Sequence, residues 1–218
     1  MILDDSVISE RVIDEGGRRG AIEILRETYL REKRWVSDPA RQFPLEDLDR
    51  DDVSWFVAEV NGQAAGVVRV LYDPPLGEYA HYGFKPLDAG LDVEAFVRDN
   101  RVAEIGRFAV VPRYRKRIMV AAALMRAAAE ETVARGYTHF VTDVFEDDPH
   151  SPFGFHTRVM GFHAVATHDI GELQSRSRRI TLVLDLKAAY QRLRARRNWI
   201  FRYLTERWGE SLHRRLAV

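Results

Sequence analysis

The chain contains no cysteine in 218 residues. Disulfides, thiolate nucleophiles and cysteine-ligated metals are therefore excluded before any motif is considered. It also has no net charge, with 33 Lys and Arg against 33 Asp and Glu. Nucleic-acid binding driven by bulk charge has no support in such a chain. No apolar run approaches the roughly 18 residues that a membrane-spanning helix needs. The opening MILDDSVISER is acidic and lacks the basic and apolar regions of a secretory signal, so the expected location is the cytoplasm. Neither an internal repeat nor a low-complexity segment is visible. One more absence is local: EIGRFAVVPRYRKRIMVAAAL (104–124) passes from strand to helix through a basic turn that contains no glycine.

What is present reads as one soluble globular unit with an elaborated end, 46% apolar and 30% charged. Residues 18–34 set Ile22, Leu25, Tyr29 and Leu30 near one helical face. SWFVAEV and AAGVVRVLYD flank Asn61–Gly62, the pair that supplies both positive φ angles of a type I′ turn, which predicts a β-hairpin. A short helix is expected at 92–98, a strand at 101–111, an Ala-rich helix at 117–135 closed by Gly136, and a strand at 138–145. A short helix near 152–160 leads to Gly161, followed by strands near 162–168 and 178–186. This alternation predicts an α/β (α+β) fold.

The last 32 residues, 187–218, differ in character, with nine Lys or Arg against two Glu and with Ile200, Leu204, Trp208 and Leu212 at i+4 spacing. They predict a basic amphipathic helical extension, interrupted at Gly209, beyond a domain formed by 1–186. Three uses are open: packing on its own domain, peripheral contact with a membrane surface, or docking of an acidic partner.

The chemistry concentrates at 104–124. A strand ending in VVP, the basic turn RYRKR and a helix start bring backbone N–H groups and Arg115, Lys116 and Arg117 around one point, a layout suited to phosphate. RFAVVPRYRKRIMVAAALMRAA (107–128) and FHTRVMGFHAV (155–165) resemble the GNAT superfamily of acyltransferases, over roughly residues 20–186. That resemblance implies a central mixed, mostly antiparallel sheet flanked by helices, and an R-x-x-G-x-G/A turn holding the phosphates of the acyl donor. Here the turn runs Arg115, Lys116, Arg117, Ile118, Met119, with Ile118 and Val120 at the glycine positions. In the superfamily's Tyr-x-x-x-Gly-Phe pattern, Thr157 stands where the proton-donating tyrosine would be, and neighbouring His156 is the candidate substitute.

A narrower resemblance is to acyl-homoserine-lactone synthases and long-chain N-acyl amino acid synthases, GNAT-like enzymes with a degraded glycine turn. They generally take the acyl chain from acyl carrier protein. EIGRF (104–108) is similar to the lactone synthases' Glu-Ser-x-Arg-Phe strand motif, without its serine, and LRETYLREKRW followed by EDLDRDD resembles their N-terminal arrangement. The resemblance makes Trp35, Asp47 and Asp49 candidates for binding the acceptor, and the backbone of Phe108, Ala109 and Val110 an oxyanion site for the thioester carbonyl. Strand alternation sets Glu104, Gly106 and Phe108 on one face and Ile105, Arg107 and Ala109 on the other. Glu104 is the candidate proton relay from the substrate amine, and Arg107 a candidate ligand for a substrate carboxylate. Each has a bland alternative, a sheet-bound ion pair for Glu104 and a structural partner for Arg107. The histidines follow no metal-ligand spacing, so no metal is expected, and no bound cofactor beyond acyl-carrier protein or acyl-CoA as co-substrate.

The expected activity is direct N-acylation of an amino acid or related small amine from a phosphopantetheine thioester, with acyl carrier protein the favoured partner. A coenzyme-A-dependent N-acetyltransferase is the alternative. A non-catalytic module binding an acyl thioester or a membrane surface is the second.

Overall fold

The structure is a computed structural model; it describes residues 7–217, with 78–80 described as backbone alone. The acidic residues MILDDS of the expected signal-free start lie outside the described residues. Among the described residues, eight strands and six α-helices follow in the order β1 (Val7–Arg11), α1 (Glu15–Leu25), β2 (Val53–Val60), β3 (Gln63–Tyr72), β4 (Lys85–Pro86), α2 (Val93–Asp99), β5 (Val102–Val110), α3 (Ile118–Ala134), β6 (His139–Phe145), β7 (His163–His168), β8 (Arg179–Asp185), α4 (Leu186–Arg196), α5 (Trp199–Thr205) and α6 (Glu210–Ala217). The strands form one sheet in the order β1-β2-β3-β5-β6-β8-β7-β4. The registered pairs are antiparallel except β5 with β6, which run parallel from Val102↔His139 to Ile105↔Thr142. The expected mixed, mostly antiparallel sheet is what the chain forms.

Two compact units divide the chain: Met1–Leu71 with Gly106–Glu131 and Tyr203–Arg207, and Tyr72–Ile105 with Thr132–Arg202 and Trp208–Val218. In the first, Asp14 caps α1 by accepting from Gly17 N–H at 2.8 Å, and Ala21, Ile22, Ile24 and Leu25 bury its apolar face. The helix then widens into a π-helical stretch, Arg26–Glu32, where Thr28 Oγ1 donates back to Ile24 O at 2.7 Å. The hairpin forms as expected, with φ of 52° at Asn61 and 74° at Gly62. Phe43 stacks on Trp55 at 4.1 Å in its core.

In the second unit, β6, β7 and β8 carry the core, with Phe140 and Leu182 fully buried. A bulge between Ala164 and Ala166 puts an extra residue in β7 and re-aims the strand's end. The C-terminal segment is three helices, not one helix broken only at Gly209. Arg197, at φ 46°, ends α4 in the left-handed region, well before that glycine. Tyr190 stacks on Trp208 at 6.1 Å and its hydroxyl lies 2.9 Å from His213 Nδ1, so α4 and α6 share an aromatic seam. In the first unit, Arg126 lies over the ring of Tyr203 at 4.3 Å. Among the described residues no helix is long and apolar enough to cross a membrane.

Candidate active site

The basic turn begins with the single 3-10 turn Pro112–Tyr114 and hands over to α3 at Ile118. The amides of Tyr114, Arg115 and Arg117 close the turn on Val111, Pro112 and Tyr114 carbonyls. Those of Ile118 and Met119 open α3, where first-turn N–H groups have no acceptor within their own helix. Arg115, expected on phosphate, is engaged elsewhere. Its Nε donates to Val110 O at 3.1 Å, and its two terminal nitrogens grip both carboxylate oxygens of Glu32. Arg113 likewise donates to Glu27 at 2.9 Å. The π-helical stretch after α1 thus neutralises half of the turn's charge, and a phosphate would have to compete with Glu32 for Arg115. Lys116 and Arg117 remain exposed.

The two residues at the glycine positions are not alike. Ile118 is 43% exposed and stands at the start of the helix, whereas Val120 is fully buried. Val120 packs into the hollow left by Gly66 on β3. A methyl group on Gly66 would meet Ala109 O, Leu124 Cδ1 and Val120 Cγ1, each at 3.0 Å. Only Ile118 narrows the approach to the turn.

On β5, Arg107 has φ 51°, in the left-handed region that costs a non-glycine residue about 1–2 kcal/mol. This corrects the strict alternation read from the sequence, because a left-handed residue inside a strand re-aims the residues that follow it. The face assigned to Phe108 through Glu104 therefore does not carry across Arg107. Strain of this kind within a strand is retained where the surrounding structure holds it, commonly at functional sites. Ala109 is buried and Phe108 and Val110 are half-buried on the same segment.

Glu104 lies before Arg107, half-buried, with Val141 of β6 as its register partner. Val141 lines a cavity of about 110 Å³ in the second unit, together with Leu76, Phe84, Phe96, Val165 and Val183 among others. Leu76, Val102, Val141 and Val183 form one buried cluster, which puts Val102 on the cavity's side of β5. Two residues on, before the left-handed Arg107, Glu104 shares that face. A carboxylate thus lies on the same face of the sheet as an almost wholly apolar hollow, next to the lining residue Val141.

The same face carries a group that the sequence did not reveal. Asp143, two residues beyond Val141, accepts from Thr181 Oγ1 at 2.7 Å through Oδ1 and lies 2.9 Å from His168 Nε2 through Oδ2. His168 Nδ1 is 2.7 Å from Ile170 O, and the ring of Tyr82 stacks on it at 6.0 Å. Burial works to lower the His168 pKa, but the hydrogen bond and charge of Asp143 prevail and leave it raised. The signal available in the sequence was weak, since the pair is far apart along the chain and β8 lies between its strands.

Other expected site residues sit in structural roles. Asp47 is buried, taking Trp55 Nε1 at 2.9 Å and Arg50 Nη1 at 3.1 Å, so its carboxylate braces its own loop and is filled rather than offered to a substrate ammonium. Asp49 is exposed, and Trp35 is half-buried edge-on to Tyr29, with the Lys33 ammonium 5.4 Å from its ring. His156 is fully buried between Phe155 and Phe162, and burial pushes its pKa down to about 3. It is neutral at physiological pH, which corrects the expectation that it replaces a tyrosine as acid. Its carbonyl instead accepts from Gly161 and Phe162 N–H at 2.7 and 3.0 Å, closing the π-helical turn Phe155–Met160. Among the described residues no three His, Asp or Glu side chains converge as a metal site.

Comparison with known proteins agrees with this geometry. The profile of the acetyltransferase (GNAT) family matches residues 21–162, more than half of the chain. No curated protein matches the chain. Among solved structures, FeeM, an N-acyl amino acid synthase from uncultured soil microbes, superposes with a TM-score of 0.64 at 14% identity, covering 85% of this chain and 93% of its own. The ribosomal-protein-S18-alanine N-acetyltransferase from Escherichia coli gives 0.55 at 13% identity, over 83% and 94%. RimL, a ribosomal L7/L12 alpha-N-protein acetyltransferase in complex with coenzyme A, gives 0.55 at 11%, over 83% and 94%. At these identities the superpositions speak for the fold, and the family match over the turn and its flanking strands speaks for the chemistry of an acyl donor and an amine acceptor: the chain belongs to the GNAT acetyltransferase family and is an acyltransferase.

Proposed function

We propose that the protein transfers an aliphatic acyl group from a phosphopantetheine thioester directly to the amine of an amino acid or a related small amine. The observation that carries this reading is the apolar cavity on the face of the sheet that also carries Glu104, lined by its register partner Val141. An acetyl group needs no such room. A hollow of about 110 Å³ lined by Leu, Val and Phe suits an alkyl segment, since apolar cavities of about 150 Å³ take up benzene. Glu104 is the proposed acceptor of the amine proton; the family resemblance makes the backbone N–H groups of Phe108 to Val110 the donors to the carbonyl and Arg107 the ligand of the acceptor's carboxylate.

Acyl carrier protein is the favoured donor. Glu32 and Glu27 offset Arg115 and Arg113, and Ile118 narrows the turn, which suits one phosphate better than the several of coenzyme A. The exposed cations of 187–218 suit an acidic carrier protein or an anionic membrane surface. The test is incubation of the protein with long-chain acyl carrier protein, long-chain acyl-CoA and acetyl-CoA, with all common amino acids, read by mass spectrometry. N-acyl amino acids formed fastest from the carrier protein are expected. Acetyl transfer from acetyl-CoA alone would overturn the reading in favour of an ordinary N-acetyltransferase.

A further inference from the structure

Acylation of an amine by a thioester breaks a C–S bond, and the sulfur departs as a thiolate that must take up a proton. Alkyl thiols ordinarily hold theirs to a pKa near 8.5, so at neutral pH the bare thiolate is the costlier form. The face that carries Glu104 holds a group with a proton to give. The Ile170 carbonyl can only accept, so the His168 Nδ1 facing it at 2.7 Å carries a hydrogen. With Nδ1 protonated, an uncharged Nε2 would turn its lone pair on Asp143 Oδ2 at 2.9 Å, so the contact is that of a doubly protonated ring ion-paired with the carboxylate, its N–H not aimed in line at the oxygen. The pair therefore stores one proton and is neutral as a whole.

Its position is asymmetric. The His168 side chain is 1% exposed and that of Asp143 is 25% exposed, so the proton reaches the outside through the aspartate. Thr181, which orients Asp143, also lines the apolar cavity. Asp143 and Val141 lie on one face of β6, and Val141 is the partner of Glu104, so Glu104 and Asp143 are diagonal neighbours on that face. Asp143 is also the first residue of β6 beyond its last pair with β5. The other charged or titratable groups around the ring are accounted for. Arg179 of β8 donates to the Asp169 and Leu173 carbonyls, Tyr82 stacks on the ring, and Asp169 follows β7.

We propose that Asp143 delivers the proton it shares with His168 to the leaving sulfur, Asp143 acting as the general acid and His168 as its positioning and proton-storing partner. The inference rests on the acyl-transfer reading above. The substrate ammonium first loses one proton to solvent. The amine nitrogen then bonds to the carbonyl carbon, the C–S bond breaks, and its electron pair stays on sulfur. The second nitrogen proton passes to Glu104 and on to solvent. Sulfur takes the proton of the pair, and the pair is refilled from solvent, so the net products are amide, thiol and one released proton.

The experiment compares two donors, the octanoyl thioesters of N-acetylcysteamine and of thiophenol, with pooled amino acids as acceptors and N-octanoyl products quantified by mass spectrometry. Thiophenolate is a far weaker base and leaves without protonation. His168→Gln and Asp143→Asn are each expected to lose at least about tenfold in kcat with the alkyl thioester, with KM for that donor within about twofold, and to lose less than about twofold with the thiophenyl ester. In the wild type, the alkyl-thioester rate falls as pH rises through the titration of the pair, and the thiophenyl rate does not. Where a variant fails to fold, this wild-type contrast decides alone. Equal losses on both donors, or parallel pH profiles, overturn the proposal and leave acyl transfer standing. A wild type that acylates from neither donor overturns acyl transfer itself, and the proposal with it.

Discussion

His156 and His168 are both sealed from solvent, at 0% and 1% exposure, yet their surroundings give them opposite relations to the proton. Around His156 stand Phe155 and Phe162, and burial alone pushes its pKa down to about 3. Around His168 stand a carboxylate, a carbonyl and Thr181 at one remove, and its pKa rises in spite of burial. Burial sets the cost of charge, and the partner decides whether that cost is met. One region closes a turn and the other borders the candidate chemistry.

The largest expected effect separates chemistry from stability. Glu104→Gln should lower kcat by about 10²- to 10⁴-fold while leaving the melting temperature nearly unchanged, in assays of product formation and thermal unfolding. A small loss would move the chemistry away from the His168 face. Next come the two histidines as opposing pH dependences. His156 is neutral in both folded and unfolded chains above pH 6.5; below that the unfolded chain takes a proton that the folded one refuses until about pH 3. Stability should therefore fall with acidification by about 1.4 kcal/mol per pH unit, a drop that His156→Phe would flatten in urea titrations at pH 6.5 and 5.

Smaller still is Gly161→Ala. Gly161 has φ 89°, and an added methyl would run into the Arg192 guanidinium that donates to Met160 O at 2.6 Å. A loss of about 1–2 kcal/mol is expected, with the specific activity of the folded enzyme retained. The smallest effect belongs to His168. Its raised folded pKa contributes stability that is complete below pH 6.5 and disappears as pH rises through that folded value. A shallow alkaline decline, absent from His168→Gln, should appear when unfolding is followed between neutral and mildly alkaline pH. An unchanged alkaline limb in the variant would mean that the pair holds no extra proton.

Much of this architecture was legible in local patterns. Asn61–Gly62 announced its hairpin because a type I′ turn makes a strong demand on two adjacent residues. The Ala-rich helix and the strands around it followed from periodicity. The short edge strand β4 and the N-terminal β1 escaped, since two to five residues carry little period. In the site, Glu104 could be picked out as a carboxylate in an apolar strand, but the left-handed Arg107 beside it could not, because nothing in its chemistry favours that φ. Asp47 was visible as one of several acids, and only the fold brings Trp55 and Arg50 onto its two oxygens. Asp143 and His168 meet across a strand that separates theirs, a pairing that local sequence does not encode.

Gly66 has a consequence for any attempt to change the donor. Restoring glycine at both 118 and 120 would look like a return to the superfamily's turn, yet the two positions answer to different neighbours. At 118 the substitution clears surface, and coenzyme A use should improve relative to carrier protein. At 120 it empties the hollow over Gly66 and puts a second glycine near the helix start, at a cost of about 2–4 kcal/mol. Ala109 O and Leu124 press on Gly66 as closely as Val120 does, so bulk removed at 120 cannot simply be regained at 66; the seam between helix and strand is locked from three sides, and donor preference is tunable at 118 without disturbing it.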